Sequence, residues 1–260
     1  MTIGLLGGGN MGSAIIGGIH KNYRILVCEK DRSKAFGLKR KYNVGLADLA
    51  DVVRKSNVII LAVKPQDFDA VLSEVSHNIS GAKLVVSIAA GISTLYIEKR
   101  LRGKARVVRT MPNLPVQVRE GITGICKGKW ATRNDIMLVS KIFSQIGETV
   151  ILNEKWMNAV TAVSGSGPAY VFYFIECLTK AARSLGLDEK TSDQLVKQTL
   201  KGSLSLLLSQ KEAASVLRER VTSKGGTTQA ALNEFFAAGL ETIFKKALRA
   251  AAHRAKELSK

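Results

Sequence analysis

The chain has 260 residues, 46% hydrophobic and 23% charged, enough apolar material for one large domain or two modest ones. Its three cysteines, Cys28, Cys126 and Cys177, are odd in number and lack CxxC spacing, which excludes a disulfide framework and suits a reducing, cytoplasmic setting. The formal charge of +18 invites a nucleic-acid reading, but the cations are spread over helical stretches with no basic tail or aromatic-rich strip, so no nucleic-acid partner is expected.

The N-terminal half alternates short apolar runs with amphipathic stretches. "TIGLL" at 2–6 reads as a strand, without the basic start of a secretory signal. A helix over 11–20, a strand "RILVC" and a charged helix over 32–42 follow. Next come a strand "NVIILAV", a helix over 66–77, a strand "AKLVVSIA" over 82–89, a helix over 93–101 and a strand "ARVVRTM". "GITGIC" and "ETVIL" read as further strands around a helix over 133–145. Runs of β-branched residues without polar alternation suit parallel strands covered on both faces, and their alternation with helices predicts a doubly wound parallel sheet. The longest apolar run, "LVVSIAAGI" at 84–92, falls far short of the roughly 20 residues that span a bilayer, so no membrane is expected.

Beyond Asn153 the strand-like runs give way to helical patterns. Pro168 suits the first turn of a helix running towards Gly186, and Asp188 can cap a helix over 189–209. A short helix over 211–221 leads into "TSKGGTT", and 229–258 is nearly all helix-former, interrupted at Gly239. We therefore divide the chain into an α/β domain over 1–153 and an all-helical domain over 154–260. So many alanines and leucines call for burial against a second copy, so a homodimer is expected.

The chemistry starts at "LLGGGNMGSA". Gly7-x-Gly9-x-x-Gly12 follows a strand and opens a helix, the context that a dinucleotide-binding loop needs. Gly7 permits the tight turn, Gly9 lets a pyrophosphate approach the backbone, and Gly12 allows close helix–strand packing. The helix start at Met11 offers N–H groups to phosphate. The alternative is a plain strand-to-helix turn. Glu29 ends the second strand about where an acid would bond a ribose 2′-hydroxyl, which favours NAD. Lys30 and Arg32 follow at once and favour the 2′-phosphate of NADP, so cofactor choice stays open; a solvated charge cluster is the third reading. "LAVKPQDF" places Lys64 at a strand end where ligands bind in such sheets, or simply on the surface. "SIAAGIS" offers small residues against which a flat ring can lie, and "RTMPNLP" forms a stiff crossover from which Asn113 can project. "SGSGPAY" and "TSKGGTT" each break and restart a helix. The second offers hydroxyls and N–H groups to a small carboxylate, although Ser and Thr also cap ordinary helices. No metal-ligand spacing and no nucleophile elbow appear, so the hard step belongs to a cofactor.

Together "GGGNMGSAI", "AVKPQ", "SIAAGI", "RTMPNLP", "AVSGSGPAYVF" and "VTSKGGTTQAAL" resemble the pyrroline-5-carboxylate reductase family in order and spacing, over essentially the whole chain. The resemblance implies a Rossmann domain followed by a helical dimerisation domain, with dimers that in some members assemble into decamers. It also implies hydride transfer from NADPH or NADH to the C=N bond of 1-pyrroline-5-carboxylate, giving L-proline. By motif, Leu6, Gly7, Gly8, Gly9, Asn10, Met11 and Gly12 would hold the pyrophosphate. Ala62, Val63, Lys64, Pro65, Ala89 and Ala90 would line the nicotinamide side. Ser223, Gly226, Thr227 and Thr228 would receive the substrate, from the partner subunit.

Two departures stand out. Leu49 replaces an asparagine common near the adenosine ribose, and Lys224 replaces a proline in the substrate turn. The expected mechanism binds the substrate carboxylate around Gly226–Thr228 and Ser223, with the Thr228 hydroxyl on the ring nitrogen and Lys64 at the crevice. Competing readings are a β-hydroxy acid dehydrogenase, a reductase of another cyclic imine acid, and a non-enzymatic nucleotide sensor. The dehydrogenase would present a helical lysine in its own motif, which neither Lys180 nor Lys197 matches.

Overall fold

The computed structural model describes residues 1–80, 83–103 and 105–259. Ala82, where a strand was expected to begin, and Lys260, the expected end of the second domain, lie outside the described residues. The chain divides into two compact units, one of residues 1–168 with the stretch from Ala250 onward, the other Ala169–Arg249.

In the first unit the elements run β1 (Thr2–Leu6), α1 (Asn10–Ile19), β2 (Arg24–Cys28), α2 (Arg32–Tyr42), β3 (Gly45–Leu46), α3 (Leu49–Lys55), β4 (Val58–Leu61), α4 (Phe68–Asn78), β5 (Lys83–Ser87) and α5 (Thr94–Arg100). They continue with β6 (Ala105–Met111), β7 (Gly121–Lys127), α6 (Arg133–Phe143), β8 (Gly147–Ile151) and α7 (Met157–Val160). Among the described residues the strands form one sheet in the order β3-β2-β1-β4-β5-β6-β7-β8.

The sheet is not parallel throughout: β7 runs antiparallel to β6, pairing Arg109 with Cys126 and Met111 with Gly124. "RTMPNLP" is thus a return rather than a crossover. It turns through Leu114–Val118, where Asn113 Oδ1 accepts the Ile122 N–H at 2.9 Å. Strands buried on both faces carry no sign of their direction, so the sequence pattern could not reveal the reversal. The sequence reading also missed β3 and the seven-residue α3, which Asp48 caps through the Asp51 N–H.

Alternation along each strand sends side chains into two cores. Leu5, Val27, Ile60 and Val86 face Ile15, Ile16 and Ile19 of α1 and Val139 and Phe143 of α6. Leu6, Ile59, Leu61, Val85 and Val107 face Val52 and Val53 of α3, Phe68 and Leu72 of α4, and Ile97 of α5. Leu49 is buried in this second core. Lys83 threads its ammonium to the Val53, Arg54 and Ser56 carbonyls at 2.6, 2.6 and 3.0 Å, closing the end of α3.

The second unit holds most of α8 (Gly167–Ser184), then α9 (Glu189–Gln210), α10 (Ala214–Arg220), α11 (Thr227–Ala237) and the start of α12 (Leu240–Glu257). "SGSGPAY" does break and restart a helix, at Ser166, with α8 beginning at Gly167. A π-helical turn at Thr161–Gly165 joins α7 towards α8, with the Thr161 and Ser164 hydroxyls donating to the Met157 and Val160 carbonyls. Asp188 caps α9 through the Thr191 N–H, and Gly239 separates α11 from α12 at φ +65°. In this unit α10 and α11 bury none of their residues, while Phe172, Tyr173, Leu204, Phe236 and Phe244 are exposed.

Candidate functional site

The strand order turns back between β1 and β4, the point where open α/β sheets bind ligands beyond their strand ends. A cleft of about 1200 Å³ opens there. It is lined by Gly8, Gly9, Asn10 and Met11 after β1; Ala62, Val63, Lys64 and Pro65 after β4; Ile88, Ala89 and Ala90 after β5; and Met111, Pro112, Asn113 and Leu114 at the end of β6. Gly165 of the π turn and the inner face of α2, including Lys34, Gly37, Arg40 and Lys41, complete the wall.

The glycines do different jobs. Gly7 adopts φ +99°, and a Cβ there would stand 2.7 Å from the Ala62 carbonyl oxygen, so only glycine lets β1 and β4 end so close together. A Cβ on Gly12 would meet the Gly7 carbonyl oxygen at 2.3 Å. A Cβ on Gly9 would meet nothing within 4 Å. Its backbone therefore faces open cleft at the start of α1, where no side chain caps the helix and no acid lies in the first turn. Bare N–H groups beside open space fit a dinucleotide pyrophosphate. The described lining adds four cations, Lys34, Arg40, Lys41 and Lys64, and no carboxylate, which suits a polyanion.

Gly8, Gly9, Asn10, Met11, Ala62, Val63, Lys64, Pro65, Ala89 and Ala90 are thus brought together. Leu6, Gly7 and Gly12 stand behind the lining and shape it. Glu29, Lys30 and Arg32 are not part of the lining. Glu29 is turned into the loop: one carboxylate oxygen accepts the Gly8 N–H at 2.5 Å and the other the Asp31 N–H at 2.9 Å. Lys30 lies 3.8 Å from Asp67. The sequence reading missed the cations of α2, although Lys34 and Lys41, seven apart, were legible as one helix face.

In the second unit, Ser223, Gly226, Thr227 and Thr228 come together at the start of α11. Gly225 adopts φ +72° and donates its N–H to Gln229 Oε1 at 2.6 Å. A Cβ on Gly226 would meet Ser223 Oγ at 2.3 Å, so the hydroxyl lies over the helix start. Gly226 is the N-cap, without a side-chain cap or an acid in the first turn. This is a donor-rich turn with one cation, Lys224, of the kind that receives a small carboxylate. Among the described residues, no cluster of His, Cys, Asp or Glu could hold a metal ion, and no helix is long and apolar enough to cross a membrane.

Comparison with known proteins agrees with both halves. A family model described as pyrroline-5-carboxylate reductase dimerisation matches residues 154–258, and one described as coenzyme F420-dependent NADP oxidoreductase matches residues 2–91. The pyrroline-5-carboxylate reductase of Methanosarcina acetivorans is 38% identical over 99% of this chain and 98% of its own. Among solved structures, the pyrroline-5-carboxylate reductase of Coxiella burnetii superposes with a TM-score of 0.93 at 37% identity, covering 99% of this chain and 98% of its own. The pyrroline carboxylate reductase of Plasmodium falciparum, with NADP bound, gives 0.90 at 28% identity, covering 100% of this chain and 98% of its own.

Proposed function

The chain belongs to the pyrroline-5-carboxylate reductase family, and from that premise we propose how its residues divide the work of reducing 1-pyrroline-5-carboxylate to L-proline. The enzyme uses a reduced nicotinamide dinucleotide and self-associates through its helical part. The observation that carries the assignment of parts is the single cleft joining the glycine loop, Ala62–Pro65 and Ala89–Ala90.

Bound there, NAD(P)H supplies the hydride that the imine carbon accepts. The N–H groups at the start of α1 hold the pyrophosphate, and Gly9 keeps their approach clear. Ala62, Val63, Pro65, Ala89 and Ala90 present small or flat surfaces to the nicotinamide half, with Lys64 as the cation at its edge. The turn at Ser223–Thr228 takes the substrate carboxylate on its N–H groups and the Ser223 hydroxyl. The Thr228 hydroxyl holds the ring nitrogen. The described cleft lining has no histidine, and the nitrogen's proton arrives with the substrate or from solvent.

Between the two nucleotides we assign preference to NADPH. One oxygen of Glu29 accepts the Gly8 N–H of the glycine loop and the other the Asp31 N–H of its own turn, so we assign this acid to bracing the loop instead of reading a ribose hydroxyl. The cations that α2 contributes to the cleft wall are Lys34, Arg40 and Lys41, matched to a 2′-phosphate. The division of labour follows the boundary at 153, with the partner subunit supplying the substrate turn and dimers assembling further into decamers. The three free cysteines fit a cytoplasmic location. The test is oxidation of NADPH and NADH by the purified enzyme with 1-pyrroline-5-carboxylate, followed at the reduced-nicotinamide absorbance. NADPH is expected to give the higher kcat/KM, and a preference for NADH would overturn the assignment of the α2 cations.

A further inference from the structure

On β6, the strand that ends at the cleft, lies a buried charge that the roles above leave unused. Arg109 of β6 is 4% exposed at its side chain, and its Nη1 stands 3.4 Å from Oε1 of Glu154. Its Nε and Nη2 have no hydrogen-bond partner among the described residues. The Glu154 carboxylate also accepts the Thr94 N–H at 2.8 Å and the Thr94 hydroxyl at 2.5 Å.

These three residues sit at the roots of three segments that line the cleft. Thr94 opens α5, directly after the loop holding Ala89 and Ala90. Arg109 lies on the strand that delivers Met111–Leu114. Glu154 starts the stretch that leads through the π turn to Gly165. A Cβ on Gly165 would meet Met111 Cε at 2.6 Å, so two of the segments also touch at the cleft wall.

Stability alone does not account for a buried, half-satisfied guanidinium. A well-packed apolar residue in such a place is often neutral or more stable than the ion pair, because desolvating two charges costs more than a loose contact returns. Retaining the charge makes sense where it fixes the relative placement of elements that packing alone would leave free to slide. We propose that Arg109, Glu154 and Thr94 are positioning residues for hydride transfer. The clamp fixes the nicotinamide side of the cleft, while the glycine loop and α2, which hold the other end of the cofactor, stand independently of it. The proposal rests on reading the cleft as the cofactor site.

The test uses the full-length enzyme in three forms: the double variant Arg109→Met/Glu154→Gln, the near-isosteric Thr94→Val, and Thr94→Ser as its conservative counterpart. Each is measured for melting temperature, affinity for 2′,5′-ADP, and kcat and KM for the imine. The double variant is expected to melt within about 3 °C of the parent. It should bind 2′,5′-ADP within about twofold of the parent and lose about tenfold or more in kcat. Thr94→Val is expected to lose kcat in the same direction, with Thr94→Ser restoring it. Parental kcat in the double variant, or in Thr94→Val, overturns the proposal. So does a parallel fall of melting temperature, 2′,5′-ADP affinity and kcat, because that marks a general structural loss. If the double variant does not fold, the Thr94 pair decides alone. A parent that binds neither 2′,5′-ADP nor NADH sinks the reading of the cleft and not merely the clamp.

Discussion

Replacing Gly9 and Gly12 by alanine separates a glycine needed by the ligand from one needed by the fold. At Gly12 the new methyl would lie 2.3 Å from the Gly7 carbonyl oxygen, a backbone atom held by the Gly7 N–H bond to the Cys28 carbonyl. Either α1 or the loop must move, and such overpacking costs about 1–3 kcal/mol. For a unit of this size that lowers the melting temperature by about 2–4 °C per kcal/mol. At Gly9 the backbone already has a negative φ of −64°, open to any residue, and the methyl meets no protein atom within 4 Å. The fold loses only the small difference between glycine and alanine at an N-cap, about 0.5 kcal/mol. That methyl does, however, stand where the pyrophosphate must approach. A displacement that removes one or two N–H contacts costs about 1.5–3 kcal/mol, or about 10- to 100-fold in Kd for NADPH. Thermal melting and fluorescence titration with NADPH give both numbers on each variant. Gly9→Ala should melt like the parent and bind poorly, whereas Gly12→Ala should melt lower. Parental NADPH affinity in a stable Gly9→Ala refutes the placement of the pyrophosphate.

The remaining predictions concern other parts of the site. Glu29→Gln should cost about 1–2 kcal/mol of stability, because a charge-assisted loop contact is weakened, and leave the NADPH-to-NADH ratio of kcat/KM unchanged; a selective loss of NADH turnover would return Glu29 to the ribose. Lys34→Ala/Lys41→Ala should lower kcat/KM for NADPH by about tenfold while sparing NADH, as steady-state kinetics with each cofactor will show; equal losses would remove these residues from 2′-phosphate recognition. Thr228→Ala should lower kcat/KM for the imine by about tenfold with unchanged NADPH affinity by titration. Burial pushes the Cys126 thiol up to about 12, so its thiolate is absent across ordinary pH. Mass spectrometry should find Cys126 unalkylated by iodoacetamide at pH 8 in the native enzyme and alkylated after unfolding.

Most of the α/β unit is legible in the sequence because burial on both faces writes itself as runs such as "VIIL" and "KLVVS". The same burial hides direction, which is why the reversed β7 was not foreseen. The strand in 45–55 escaped because two residues are too few for periodicity to register. The glycine loop was readable from its spacing and context. The bonds from the Gly8 and Asp31 N–H groups to Glu29 were not, because spacing places an acid near the ribose and is silent on its local partners. The Arg109–Glu154 contact joins residues 45 apart in sequence, and no local pattern announces it. The break at Ser166 was legible, but the π geometry of the turn before it was not, because glycine and serine punctuate both turns and helix bulges.

This chain carries a hydride from the cofactor to the imine carbon. NADPH deuterated at the transferable C4 position, incubated with the enzyme and 1-pyrroline-5-carboxylate, tests it most directly. L-proline should form with one deuterium at the former imine carbon for each NADPH consumed, as read by mass spectrometry and NMR. Proline without deuterium, or cofactor oxidation without proline, would contradict it.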